Sequence, residues 1–335
     1  MKANIWFLMP STDAPTGGIN NCYRLCQIAD ELGIKARVLS EYPYDFCDPT
    51  DLIKYWVEIP NVGFRYDKYN LPCIQEGDIV VLPEIYGWRP HFDVPVRRVT
   101  YLQNWALMSE HSWENHYWTY NNWTHLSYCI EAAHYERYQH RTRLPIDRPV
   151  DWPDTAMMVG KKKLKWTSVT PYFDFENYST GINDPNKILM LPRKMGNTMD
   201  IFKKAFGDKL VVVDNVTPKE LRDIYKDVGT LIIPSPAEGL SFPMVEALLS
   251  GCCVVSWECG APEEYLIHGV TSMMAEFGDI HGLINHTKYL VSNPDEMKKM
   301  SEQGRNLVTK LYTKEKTKNE MYIAYYSSLK INPEL

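Results

Sequence analysis

No two cysteines of the chain form a Cys-x-x-Cys pair, and no group of histidines and cysteines has zinc-ligand spacing. A zinc ribbon, a zinc finger and a thioredoxin-type redox centre are therefore excluded. The eight cysteines are scattered, and Cys252 and Cys253 fall inside an apolar, strand-like run where the thiol acts as a small hydrophobe. Reduced, buried thiols are expected. No apolar stretch approaches the ~20 residues of a membrane span. The opening MKANIWFLMP is too short in its apolar part for a secretion signal, and no small-residue cleavage site follows it. A soluble, cytoplasmic protein is expected. Positive charge is also scarce: 36 Lys and Arg stand against 42 Asp and Glu, a net charge of −6, which argues against a nucleic-acid partner. No Gly-x-Gly-x-x-Gly follows the first strand-like run, which disfavours a dinucleotide-binding dehydrogenase. No Asp-x-Asp pair follows a strand, and there is no short-period repeat or low-complexity tract.

What is present is globular. Apolar residues make up 44% of 335, enough for two domains, and charged residues 23%. Aromatics reach 13%, with 10 Trp and 22 Tyr, side chains that need packed sites or stacking surfaces. Strand-like runs alternate with helical patterns throughout. In the first half the strands are expected at 3–9, 36–40, 78–83 and 97–102, with a weaker run at 125–130. A helix over Ile19–Leu32 is closed by Gly33. In the second half strands are expected at 187–192, 209–214, 229–234, 252–257 and 271–275. Helices are expected over 197–206, 218–225, 243–249 and 280–291. The run TPKE predicts a capping box, with Thr217 as N-cap, Pro218 in the first turn and Glu220 reaching back.

Continuous apolar strands alternating with helices predict parallel sheets covered on both faces. Two such sets give an α/β chain of two doubly wound, Rossmann-like domains facing across a cleft. The division lies in the turn-rich stretch 171–185, giving an N-terminal domain of residues 1–175, joined by a C-terminal helix over 314–330, and a second domain of residues 176–313. In open α/β sheets ligands bind beyond the carboxyl ends of the strands. The stretch PSPAEGLSFPMVEALLSG follows one of those strands. It sets Glu238 at a loop tip beside Gly239, and Glu246 about one turn into the helix that Pro243 opens. The free N–H groups and positive dipole end of such a helix suit a phosphate. Carboxylates accept hydrogen bonds from vicinal hydroxyls, so the pair suits a sugar, a diphosphate and a ribose in a row. The same residues also read as a solvated loop glutamate and a glutamate serving the helix dipole.

The run EGLSFPMVEALLSGCCVV resembles the E-x7-E region of retaining glycosyltransferases of the family-4 type (glycosyl transferases group 1), usually written EGFGLPxLEAMAxGxPVV. WECGAPEEYL is similar to the segment that follows it, and STDAPTGGINN after the first strand resembles the family's glycine loop. The resemblance implies the GT-B fold and, residue by residue, a donor site. Glu238 would bind donor-sugar hydroxyls, with backbone N–H groups around Gly239, Leu240, Ser241 and Phe242. Glu246 would bind the nucleotide ribose, and Gly17 and Gly18 would approach the donor phosphates. Arg193 would neutralise the diphosphate together with a lysine, Lys194 or Lys203, although the usual Gly-Arg with a later Lys-Gly is absent from LPRKMGNTMDIFKK. Ser241 and Phe242 depart from the family pattern, and Ser keeps a small polar turn.

The implied activity is retaining transfer of a sugar from a nucleotide diphosphate donor to a hydroxyl acceptor, a glycan or a lipid-linked acceptor. No cofactor and no metal are expected, the cationic side chains taking the metal's place. Competing readings are a non-catalytic GT-B module that binds nucleotide or glycan, and a GT-B sugar-nucleotide epimerase. Trp105, Trp113 and His111, with Asn104, lie in an aromatic stretch that would contact the acceptor or simply pack a core. The basic run 160–166 reads as a solvated linker or as a peripheral contact with anionic lipid. Of Glu263 and Glu264, one is expected near the sugar and one in a structural role.

Overall fold

Strands form where the apolar residues run on without alternation. The computed structural model describes residues 4–9, 17–40, 63–65, 74–83, 96–102, 124–127, 158–159, 162–163, 166–191, 199–214, 216–235 and 238–328. The chain divides into two compact units, residues 1–172 with 314–335, and residues 173–313.

In the first unit β1 (Ile5–Met9), β2 (Ala36–Ser40), β3 (Gly63–Arg65), β4 (Ile79–Pro83), β5 (Arg97–Leu102), β6 (Thr124–Ser127) and β9 (Trp166–Ser168) form one sheet. The order is β3-β2-β1-β4-β5-β6-β9, with every pairing parallel. Two short strands, β7 (Met158–Val159) and β8 (Lys162–Lys163), pair antiparallel apart from it, so two lysines of the basic run lie in a hairpin strand. Ile5, Phe7, Leu8, Val80 and Val81 are buried, as strands covered on both faces require. Helix α1 (Gly17–Glu31) follows β1, and Gly33, at φ 73°, ends it.

The C-terminal segment returns to this unit. Lys314 and Lys318 both pair with Glu31 on α1, and these ammonium groups hold the Glu31 carboxyl below its ordinary range. The expected single helix over 314–330 is instead α-helical only over Lys314–Tyr322 and continues as a π-helix over Ile323–Ser328. Tyr326 Oη from that wider turn donates to the Leu32 carbonyl at 2.9 Å, a contact along α1's end that no local pattern announces.

The second unit carries β10 (Asp184–Met190), β11 (Leu210–Val212), β12 (Val228–Ile233), β13 (Cys253–Trp257) and β14 (Ser272–Ala275) in the order β11-β10-β12-β13-β14, all parallel. The connecting helices are α2 (Met199–Phe206), α3 (Pro218–Asp227), α4 (Phe242–Leu249) and α5 (Ile280–Ser292). The capping box of α3 is present in full: Thr217 accepts from the Glu220 N–H and Glu220 from the Thr217 N–H. β10 starts three residues earlier than its apolar run, with Asp184, Pro185 and Asn186 drawn from the stretch expected to be a turn-rich linker. A register shift between Asp184 and Ile188 accommodates them.

One long helix, α6 (Pro294–Leu311), was not expected. Its buried face is Met297, Met300, Ser301, Gly304 and Val308, a helical period in which two positions are small rather than apolar. The reason lies in the packing. A Cβ on Gly304 would stand 2.6 Å from Leu248 Cδ2 on α4 and 3.1 Å from the Thr271 carbonyl oxygen. Arg305 of the same helix donates to the Leu249 carbonyl at the end of α4. Thus α6 fixes the helix that bears Glu246. Among the described residues no helix is long and apolar enough to cross a membrane.

Candidate active site

The order of the second sheet reverses between β10 and β12, and a crevice beyond the carboxyl ends of those two strands is where such sheets take ligands. The segment after β12 holds the two glutamates. β12 is buried along its whole length, so the chain leaves a rigid platform at Ile233. Glu238 N–H donates to the Cys259 carbonyl at 2.8 Å and forms a one-residue parallel bridge with Gly260. The loop after β12 is thereby clipped to the loop after β13. Gly260 makes the clip at φ 105°, a conformation open to glycine. Glu238 is only 8% exposed, a carboxylate held at the loop tip and largely withdrawn from water.

The next residues turn into α4. Ser241, its N-cap, sits at φ 54°, ψ 78°, a left-handed conformation for a residue with a Cβ, and its hydroxyl makes no capping bond. The position that the resemblance gives to glycine therefore does need a glycine-like backbone. Tyr265, fully buried, donates its phenol to the Leu240 carbonyl at 2.6 Å and holds the turn from beneath. Behind it run Tyr312 (5.9 Å from the Tyr265 ring), Phe173 (6.0 Å from Tyr312) and Phe242 (4.9 Å from Phe173). This aromatic chain packs the first residue of α4. With Pro243 in the first turn, and Met244 and Val245 N–H bonded to the Ser241 carbonyl, the backbone N–H groups of Gly239, Leu240, Ser241 and Phe242 find no acceptor among the described residues. Four successive donors beside a buried carboxylate can receive an anion or a polyhydroxylated ligand.

Glu246 is the fifth residue of α4, past the first turn, and half-buried. The Tyr178 phenol donates to its Oε1 at 3.0 Å. The Tyr225 hydroxyl lies sealed nearby, without a hydrogen-bond partner among the described residues. Burial, and then the Glu246 charge, push the Tyr225 phenol well above its ordinary pKa. Of the second acidic pair, Glu264 accepts from the buried Tyr312 phenol at 2.9 Å. Glu263 follows the Gly260 turn with its N–H on the Gly260 carbonyl at 3.0 Å.

Arg193 and Lys194 lie outside the described residues, as do Trp105, Trp113, His111 and Asn104. Lys203 lies on α2, its ammonium largely exposed and 3.7 Å from Asp200 one turn back. Gly17 and Gly18, both half-buried, are the first two residues of α1, the helix that follows β1 in the chain, and the first sheet reverses its order between β1 and β4. Tyr178, Tyr265 and Tyr312 support the site and carried no signal in the sequence, since each meets its partner from 25 to 68 residues away. Cys252 and Cys253 are buried, and desolvation pushes the Cys253 thiol up to about 12, so neither is a nucleophile near neutral pH. Among the described residues no group of three or more His, Cys, Asp or Glu could hold a metal ion.

Residues 201–307 match the model of a family described as "Glycosyl transferases group 1". No curated protein sequence matches the chain. Among solved structures, sucrose-phosphate synthase from Thermosynechococcus elongatus is similar at TM-score 0.69 and 11% identity, over 98% of this chain and 100% of that one. Anabaena HepE, solved with UDP and glucose, is similar at TM-score 0.64 and 14% identity, over 97% and 100%. A mutant of S. aureus TarM, solved with Fondaparinux, alpha-GlcNAc-glycerol and UDP, is similar at TM-score 0.67 and 8% identity, over 97% and 100%. At these identities the likeness shows the fold, which is GT-B: two α/β, Rossmann-like domains.

Proposed function

We propose that this chain is a glycosyltransferase that moves a sugar from a nucleoside diphosphate sugar to a hydroxyl of a glycan or lipid-linked acceptor, with retention and without a divalent metal. The observation that carries the reading is the pairing of a buried carboxylate, Glu238, with the backbone N–H groups from Gly239 to Phe242, which meet no acceptor among the described residues, on a loop held by the Cys259 clip and the Tyr265 phenol. The match over 201–307, which includes both glutamates, supports it. UDP is the nucleotide to expect, since two of the similar structures hold it.

In this reading the donor lies along the start of α4. Glu238 accepts hydrogen bonds from the sugar hydroxyls, and the Gly239–Phe242 N–H groups donate to sugar and phosphate oxygens. Glu246 accepts from the ribose diol. The sugar C1–O bond breaks with its electron pair leaving on the diphosphate. Negative charge grows there, and Arg193 with Lys194 or Lys203 and the start of α4 would stabilise it. The acceptor oxygen attacks C1 from the face the diphosphate leaves, and its proton passes to the departing phosphate oxygen. Neither glutamate is needed as a nucleophile.

The first test is a thermal-shift screen with UDP, GDP, dTDP, ADP and CMP. A ligand at a hundredfold excess over Kd stabilises the folded state by about 2.7 kcal/mol. UDP is expected to raise the melting temperature of the wild type, and Glu246→Ala to lose the shift. Glu238→Gln should keep its fold and nucleotide shift yet lose at least about 100-fold in kcat with a UDP-sugar. Normal turnover by Glu238→Gln overturns the site.

A further inference from the structure

We infer that Tyr265 is a positioning residue for the sugar-linked phosphate of the donor, acting through the Leu240–Ser241 peptide. The inference rests on the reading above that the donor lies along the start of α4. The Tyr265 Oη stands 2.6 Å from the Leu240 carbonyl oxygen and 3.5 Å from that of Ser241. A carbonyl has no proton to give, so the phenol is the donor whatever else touches the tyrosine. The peptide is trans and planar, and its C=O and N–H point opposite ways. With the Leu240 oxygen drawn onto a fully buried phenol, the Ser241 N–H points away from that ring. The tyrosine's own backbone is fixed as well: Thr271 Oγ1 donates to its carbonyl at 2.6 Å and accepts the Ile267 N–H at 2.7 Å.

The next peptide is pinned in the same way. The Ser241 carbonyl takes the Met244 and Val245 N–H groups at 3.0 and 3.3 Å, which turns the Phe242 N–H out of the helix start. Ser241 is left-handed, at φ 54°, and Phe242 begins the right-handed helix. That succession brings successive N–H groups onto one side and makes a concavity for an anion. Pro243 adds no donor, so the pair is Ser241 and Phe242, and neither N–H meets an acceptor among the described residues. In the reading above Glu238 takes the sugar and Glu246 the ribose, so the pair between them meets the diphosphate. Ser241 stands three residues from Glu238 and five from Glu246, which places it at the sugar end. Charge grows on that phosphate as the C1–O bond breaks, so an N–H aimed there beforehand binds more strongly in the transition state than in the ground state. Without the phenol, Ser241 is free to relax to the right-handed backbone that a Cβ prefers, and its N–H swings off the phosphate.

The test uses the full-length protein. Tyr265→Phe keeps the ring and removes one oxygen. In isothermal titration it should weaken UDP about 3- to 10-fold, and UMP, which lacks the second phosphate, less than about twofold. With a UDP-sugar, kcat should fall about 10- to 100-fold, short of the loss of a whole oxyanion donor, while KM changes less than about threefold. Equal weakening of UDP and UMP, as a merely structural tyrosine would give, overturns the inference, and so does an unchanged kcat. A second measurement needs no folded Tyr265 variant. In wild-type protein labelled with 15N-serine, the Ser241 amide signal, identified by its loss in Ser241→Gly, should shift and gain protection from hydrogen exchange with UDP but not with UMP. A Ser241 amide indifferent to UDP overturns the inference. If the wild type binds no UDP at millimolar concentration, or Glu238→Gln turns over normally, the reading of the site falls and the inference with it. If UDP binds and Glu238→Gln is inactive while Tyr265→Phe matches the wild type, only the inference falls.

Discussion

Ser241 shows at the scale of one residue how the site constrains the chain. Its left-handed backbone, φ 54°, costs an L-residue about 1–2 kcal/mol, and no capping bond of its own hydroxyl offsets that. The turn is imposed from outside, by Tyr265 on the Leu240 carbonyl and by the α4 N–H groups of Met244 and Val245 on the Ser241 carbonyl. Glycine relieves the strain but loosens the unfolded chain. Ser241→Gly should therefore be more stable than Ser241→Ala by about 1 kcal/mol in urea unfolding. The opposite order would mean that the residue does not hold positive φ in solution.

At the scale of elements, the candidate site depends on how β10 and β12 lie together. Gly229, the second residue of β12, sits against the first turn of β10's irregular start. A Cβ there would lie 2.7 Å from the Asp184 carbonyl oxygen and 2.9 Å from Pro185 Cα, both backbone atoms that cannot swing away. Gly229→Ala should destabilise the second unit by about 1–3 kcal/mol, the cost of overpacking, although alanine is otherwise the better residue for an ordered chain. Chemical denaturation measures it, and a neutral or stabilising result would show that the strands can part there at no cost. α6 tells the same story from the other side. Its helical period is visible once Ser301 and Gly304 are accepted as buried, and Gly304 is small because Leu248 of α4 passes so close.

At the scale of the molecule, two parallel sheets each reverse their strand order where a helix start follows: α1 after β1, α4 after β12. Those are the two places where the glycine pair and the glutamate pair occur. The proposed chemistry neutralises the leaving diphosphate with cationic side chains and the start of α4, so transfer from a UDP-sugar should persist in excess EDTA. Radiolabel transfer measures this, and complete loss restored by magnesium or manganese would overturn the metal-free reaction.

The sequence by itself determined the alternation of buried strands and helices, the parallel sheets that follow from it, the Thr217 capping box, and the place of Glu238 and Glu246 on a loop and helix after a buried strand. All of these are written in windows of a few to fifteen residues, where apolar periodicity and backbone preference act. Tertiary structure decided the rest. Only it shows that Glu264 is bound by Tyr312, that Tyr265 carries the turn at Leu240, that Ser241 is held in a left-handed conformation, that the β10 strand begins at Asp184, and that Tyr178 meets Glu246. Each of these joins groups far apart in the chain, or a backbone to a packed neighbour. Such contacts are set by which surfaces meet when two layers close, a quantity that no local stretch of sequence contains.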